Sequence, residues 1–109
     1  MIYVLITYKG NDIISYQVTG HAGFAPQGED IYCAGISAVA QTTLLGLLKN
    51  LKTKIKYHIE EGYLQCKIPS GIDPEDMKKA QIILSTMEAG MLSMQETYGN
   101  FIKLEVRRL

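Results

Sequence analysis

The sequence predicts an α+β fold: a two-layer sandwich in which a five-stranded, mostly antiparallel sheet carries two helices on one face. Segments with apolar residues at every second position indicate five strands, and segments with apolar residues three and four positions apart indicate two helices. The elements follow the order ββαββαβ. Both hairpins keep a partly polar face, so two helices on the other face of one sheet would cover every apolar stripe.

Length and composition set the class of protein. The 109 residues have room for one core, so we expect a single domain over residues 1–109. Apolar residues make up 47% of the chain and charged residues 20%, which excludes a mainly disordered chain. Eleven basic residues balance eleven acidic ones, so the net charge gives no general attraction to nucleic acid or anionic lipid.

The distribution of cysteines and apolar residues predicts a cytoplasmic protein. Two cysteines without CxxC spacing are too few for a disulfide scaffold, so we expect reduced thiols. The N-terminus begins with strand-like residues, and we expect no targeting leader. The most apolar stretch, residues 36–51, is interrupted by polar side chains, so we expect no membrane span.

Alternating apolar residues define the strands. The first hairpin turns at Gly10, the second turns at Glu61 and Gly62, and the last strand ends the chain. The alternating residues are Ile2, Val4, Ile6 and Tyr8; Ile14, Tyr16 and Val18; Ile55, Tyr57 and Ile59; Leu64, Cys66 and Ile68; and Ile102, Leu104 and Val106.

Both helices have a predicted N-cap, Asp30 for the first and Asp73 before Pro74 for the second. Gly99 and Asn100 end the second helix. The apolar stripes consist of Ile36, Ala40, Thr43, Leu44, Leu47, Leu48 and Leu51, and of Met77, Ala80, Leu84, Met87, Met91, Met94 and Tyr98. Ile82, Ile83 and Leu84 in succession exceed one stripe, which predicts either a wide core face or a surface buried against a second copy.

A glycine-rich loop, residues 20–29, has a histidine near its start, at position 21, and is followed by a cysteine at position 33. Cys33 lies in the predicted first turn of a helix, where the dipole and unsatisfied N–H groups favour a thiolate. The loop is long enough for the His21 imidazole to reach the sulfur, and the N–H groups of Cys33 and Ala34 would face an oxyanion. Its glycines favour a loop that orders, and so assembles the pair, when substrate binds. A buried cysteine with a packing role is the alternative.

Two further polar residues are predicted to support this pair. Asp30 caps the helix in either interpretation and orients the imidazole in the catalytic one. Ser37 lies one turn beyond Cys33 on the same face, where its hydroxyl would bond the thiolate or a substrate carbonyl, or else bond backward to a helix carbonyl.

The remaining candidate groups favour structural roles. Cys66 alternates inward and is predicted to pack in the core, whereas His58 is predicted to be solvated. A zinc site would need ligands from four elements without paired spacing, so we expect no metal and no cofactor. Without interleaved aromatic residues, four lysines near the end of the first helix predict a solvated basic edge rather than a nucleic-acid site; they are Lys49, Lys52, Lys54 and Lys56.

Three sequence segments resemble the signature of the ribosomal-processing cysteine protease family, called Prp. They are Gly20-His21-Ala22, residues 28–35 with the sequence GEDIYCAG, and Ser37, and the length and element order also fit. The resemblance implies that Cys33 is the nucleophile and His21 the general base and acid, with Asp30 and Ser37 on positions that the family usually keeps. Tyr32 departs from the small β-branched residue common before the cysteine, which implies a reshaped pocket wall.

The resemblance also implies a substrate and an oligomeric state. Family members remove the N-terminal extension of one large-subunit ribosomal protein, number twenty-seven, and are homodimers. We therefore expect a cysteine endopeptidase, with four methionines of the second helix as an adaptable wall for an apolar peptide. The residues alone leave two alternatives: a noncatalytic assembly factor that binds a ribosomal protein or RNA through the basic edge, and another thiol chemistry such as acyl transfer or redox sensing.

Overall fold

The computed structural model describes residues 1–20 and 27–109. The elements follow the predicted order ββαββαβ. Their bounds are β1 Ile2–Lys9, β2 Asp12–Thr19, α1 Gln27–Asn50, β3 Lys56–Glu60, β4 Tyr63–Lys67, α2 Pro74–Tyr98 and β5 Ile102–Arg108.

One mixed sheet forms the first layer of the sandwich. Its strand order is β3-β4-β2-β1-β5, with antiparallel pairing everywhere except between β1 and β5, which are parallel. Val4 and Ile6 are buried on the side that packs against the helices, whereas Tyr3 on the other face is 52% exposed. The predicted α+β fold and the mostly antiparallel sheet are therefore confirmed.

A β-bulge changes which residues of β2 face the core. Thr7 pairs with Ser15 and Tyr8 pairs with Ile13, so the register shifts by one residue between these pairs. Ile13 is buried as a result, and Ile14 is left as the extra residue of the bulge. The predicted inward position of Ile14 is wrong, while those of Tyr16 and Val18 are confirmed.

The first helix begins four residues earlier than predicted, at Gln27 instead of directly after Asp30. Residues 27–29 contain no proline or β-branched side chain that would oppose a helix, and a proline directly before them in the sequence is typical of a helix start. The N-cap role predicted for Asp30 is therefore wrong. The second helix starts as predicted, because the Asp73 side chain accepts the N–H of Asp76 at 3.4 Å, and it ends at Gly99.

The stretch Ile31–Asn50 of α1 has a mean hydropathy of 1.6, and its length and composition meet those of a membrane span. The expectation that polar interruptions exclude a membrane span by composition is therefore wrong. The core helix of a soluble protein meets the same criteria, and Ile36, Leu44 and Leu47 of this helix are buried in the core.

Polar side chains of α2 attach this helix to the sheet. Gln81 accepts the N–H of Ile13 at 2.7 Å and donates to its carbonyl at 2.8 Å, beside the bulge. The Tyr8 hydroxyl donates to the Glu88 carboxylate at 2.6 Å. These bonds fix the position of the helix whose C-terminal end reaches the site described next.

Candidate active site

The chain ends of several elements meet at one end of the sandwich, around the start of α1. The N–H of Ile2 at the start of β1 donates to the carbonyl of Phe101 before β5, at 2.8 Å. The N–H of Gly20, directly after β2, donates to the carbonyl of Gly62 in the β3–β4 turn, at 3.1 Å. Both bonds hold the ends of neighbouring strands together beside Gly20, the last described residue before His21 in the sequence.

Cys33 is the seventh residue of α1 and belongs to the core, with 3% exposure. Both cysteines of the chain are in the thiol form. A residue in the second turn donates its N–H to the carbonyl four residues earlier, and the helix dipole acts mainly within the first turn. The predicted first-turn position of Cys33 is therefore wrong, and the helix gives a thiolate less help than predicted. The oxyanion role of the Cys33 and Ala34 N–H groups stays a prediction.

The structure places part of the predicted supporting set. Ala34 is exposed, and Ser37 is half-buried one turn beyond Cys33. His21 and most of the predicted loop lie outside the described residues, as does the side chain of Asp30. Their approach to Cys33 therefore stays a prediction.

Gly20 fixes the root of the segment that carries His21. Its φ angle is +142°, a region that side chains rarely adopt. A Cβ atom at this position would lie 2.9 Å from the Cα of Ile2 and 2.9 Å from the carbonyl oxygen of Met1. Because both neighbours are backbone atoms, this position requires glycine, and the direction in which the chain leaves β2 is set by its contact with β1.

An aromatic cluster lies on one side of Cys33. The ring of Tyr32 lies 4.4 Å from that of Tyr98 at the end of α2, and it stacks on Phe101 at 4.6 Å with an angle of 18° between planes. Such pairs favour a fixed arrangement. The cluster joins the residue before Cys33 to α2 and to the start of β5, so Tyr32 packs between elements here. In the sequence, this role is indicated by an aromatic residue at position 32, where the resembled family commonly has a small one.

A groove lies between α1 and the β3–β4 hairpin. Its cavity volume is about 90 Å³. Its lining consists of Val18, Gly20, Ser37, Ala40, Gln41, Ile59, Glu60, Gly62, Tyr63 and Leu64. No local sequence pattern predicts this groove, because only the strand order places β3 at the edge of the sheet.

The second cysteine has the predicted packing role. Cys66 is 1% exposed, and burial raises the pKa of its thiol to about 12. The neighbouring Tyr16 hydroxyl donates to the carbonyl of Ala40 at 2.9 Å, and burial raises its pKa as well. A thiol in this environment stays protonated near neutral pH, so it is a poor nucleophile.

His58 is exposed on β3, as predicted, and its Nε2 lies 2.8 Å from Oε1 of Glu60. The four lysines of the predicted basic edge are exposed too. In the part of the chain that the structure describes, no three His, Cys, Asp or Glu side chains come together in a way that would hold a metal ion.

Similarity to known proteins extends over almost the whole chain. The family model described as Cysteine protease Prp matches residues 1–103. The ribosomal processing cysteine protease Prp of Bacillus subtilis (strain 168) is 29% identical over 94 residues, covering 84% of this chain and 84% of that protein. The protein of the same name from Staphylococcus aureus (strain Mu50 / ATCC 700699) is 30% identical over 102 residues, covering 91% of this chain and 89% of its own.

Solved structures share the fold. The S. aureus ribosomal processing protease Prp in complex with a substrate peptide has a TM-score of 0.84 at 24% identity, covering 98% of this chain and 100% of that one. The same protease with a covalently linked product peptide has a TM-score of 0.81 at 25% identity, with the same coverage.

Proposed function

Because this chain belongs to the cysteine protease Prp family and is itself a cysteine protease, we propose that Cys33 is its nucleophile and His21 its general base and acid. The observation that carries the assignment is the contrast between the two cysteines of the chain. Burial keeps the Cys66 thiol protonated inside the sheet, whereas Cys33 lies in the second turn of α1, twelve positions after His21. A cysteine protease needs a thiolate, and Cys33 is the cysteine left to provide it.

The positions of the two histidines in the chain also favour one of them as the base. His58 pairs with Gln65 across the hairpin, while its neighbours Tyr57 and Ile59 lie on the face turned toward the helices. Because side chains alternate along a strand, His58 points away from the helix layer that holds Cys33. His21 follows Gly20 directly, and it is the histidine that the proposal assigns to the pair.

The proposed reaction proceeds through an acyl-enzyme. His21 takes the proton of the Cys33 thiol, and the thiolate sulfur attacks the carbonyl carbon of the scissile peptide bond. The C–N bond then breaks, and His21 protonates the departing amine. Water, deprotonated by His21, attacks the thioester and releases the second product and the thiol.

The proposed substrate is the N-terminal extension of large-subunit ribosomal protein number twenty-seven, cut in the cytoplasm. The names of the relatives support ribosomal processing, and two thiols suit a reducing compartment. The test is incubation with the extended ribosomal protein, followed by mass analysis of the products. We expect one shortened protein and one released N-terminal peptide, whereas an intact substrate in a stable complex would support a noncatalytic binding factor.

A difference in thiol reactivity is expected in the native protein at pH 7. Iodoacetamide should alkylate Cys33 at least about tenfold faster than Cys66, because the rate follows the thiolate fraction and the pKa of Cys66 is raised to about 12. Peptide mass mapping over time measures both rates, and the denatured protein, in which the two should react alike, is the control. Equal rates in the native protein would contradict an activated thiol at Cys33.

The proposed enzyme is a homodimer that buries the outer face of its two helices. Ile82 is 69% exposed and Leu45 is 64% exposed. The other interpretation of the apolar run in α2, a wide face buried in the core, therefore does not hold for Ile82. An apolar groove between the helices, lined by Val39, Gly46 and Ile83 among others, continues this surface. Exposed apolar surface of this kind is typical of a protein interface.

An Ile82→Glu variant is expected to be monomeric at micromolar concentration, because it places a charge in the centre of this surface. Light scattering measures the mass. Val106→Glu, at an exposed position on the far edge of the sheet, should leave the wild-type mass unchanged. A monomeric wild type, or a dimeric Ile82→Glu, would contradict this interface.

A further inference from the structure

The groove between α1 and the β3–β4 hairpin has the composition of a binding site. Val18 and Leu64, which are both nearly buried, contribute an apolar floor from the sheet. Ser37 and Gln41 add polar groups on the α1 side. Its cavity volume of about 90 Å³ is below that of a ligand pocket and suits a single side chain of a peptide.

Ile59 is the exposed apolar residue of this groove. It lies on the face of β3 that turns toward the helices, yet it is 50% exposed. The reason is its place at the sheet edge, since within the described residues β3 pairs with β4 alone. A bulky apolar group in the groove would therefore remove Ile59 from water.

The groove borders two residues that are neighbours of the proposed catalytic pair. One end is lined by Gly20, which directly precedes His21, and by Ser37, one turn beyond Cys33. Ser37, Ala40 and Gln41 continue the face of α1 that carries Cys33 toward the hairpin. This placement favours an extended peptide as the occupant, since the protein is a peptidase and its solved relatives bind peptides.

We infer that the groove receives one apolar side chain of the substrate peptide, close to the scissile bond, and that Ile59 determines the specificity for that side chain. The inference rests on the proposed function, because it concerns the peptide that Cys33 would cut. Leu64 and Val18 form the floor on which the side chain packs, and Gln41 and Ser37 face its backbone.

A double-mutant cycle tests the assignment. The substrate is a peptide that spans the cleavage site, and each residue within four positions of the scissile bond is replaced in turn by alanine. For the wild type, one apolar position should lower kcat/KM about tenfold when it becomes alanine. In Ile59→Ala the same replacement should cost at most about threefold, because the lost contact no longer exists.

A matched variant separates this effect from a general one. Val106→Ala truncates another half-exposed β-branched residue, on the opposite edge strand, and should leave the wild-type profile unchanged. Ile59→Phe should narrow the groove and shift the preference at the same position toward smaller side chains. Because Ile59 is half exposed, neither variant at this position is expected to unfold the protein, and circular dichroism checks this.

Each result decides one question. If the wild type cuts the peptide but no position couples to Ile59, the groove is not the specificity site and the proposed function stands. If the wild type cuts no peptide from the extension, the proposed function fails and the inference fails with it. If the position that couples to Ile59 couples equally to Val106, the effect is nonspecific and the inference is overturned.

Discussion

Replacing Cys33 with alanine is expected to abolish cleavage while the fold survives. The sulfur is the proposed nucleophile, and loss of a catalytic nucleophile lowers kcat by about 10³-fold or more. Alanine suits the helical position, so removal of the sulfur from this buried site should cost only about 1 kcal/mol of stability. Mass analysis of the extended ribosomal protein gives the activity, and thermal unfolding gives the stability.

Cys66→Ala is the matched control for this experiment. It removes the same atom from another buried position, so the two variants should lose similar stability. Cys66→Ala should nevertheless cut the substrate at close to the wild-type rate, because the pKa of its thiol keeps it out of the reaction. Full activity of Cys33→Ala, or equal loss in both variants, would refute the assignment of the nucleophile.

The fold could be predicted because each element carries its own local signal. In α2, Asp73 and Pro74 start the helix and Gly99 ends it, and the structure uses these same residues. The register of β2 could not be predicted, because Ile13 and Ile14 are equally apolar and only the bulge opposite Tyr8 determines which of them faces the core. Pairing across the sheet, rather than local preference, decides such positions.

The start of α1 shows why the site was harder to predict than the fold. Aspartate is a preferred N-cap residue, so Asp30 predicts a helix start. The helix nevertheless extends back to Gln27, and Asp30 lies inside it. This shift moves Cys33 from the first turn to the second, where the helix dipole and the unsatisfied N–H groups stabilise a thiolate less. The groove at Ile59 depends on strand order, which no local pattern contains.

Substituting Gly20 with alanine is expected to reduce activity more than any other change outside the proposed catalytic pair. The new Cβ would lie 2.9 Å from the Cα of Ile2 and from the carbonyl oxygen of Met1, and these backbone atoms cannot turn away as a side chain can. The end of β2 must therefore move, together with the hydrogen bond from Gly20 to Gly62. His21 would move with it, and displacement of a general base by about 1 Å can cost about 100-fold in rate.

Gly10→Ala separates this displacement from backbone strain. Gly10 also has a positive φ, +62°, but a Cβ there would meet no atom within 4 Å, and the residue lies in the β1–β2 turn. The Gly10→Ala substitution should therefore cost about 1 kcal/mol of stability and leave kcat close to the wild-type value. In Gly20→Ala we expect kcat to fall far more than the loss of folded protein explains, with slower alkylation of Cys33 at pH 7 because its base is displaced. A Gly20→Ala enzyme with wild-type kcat would mean that the exit of the chain from β2 does not position His21.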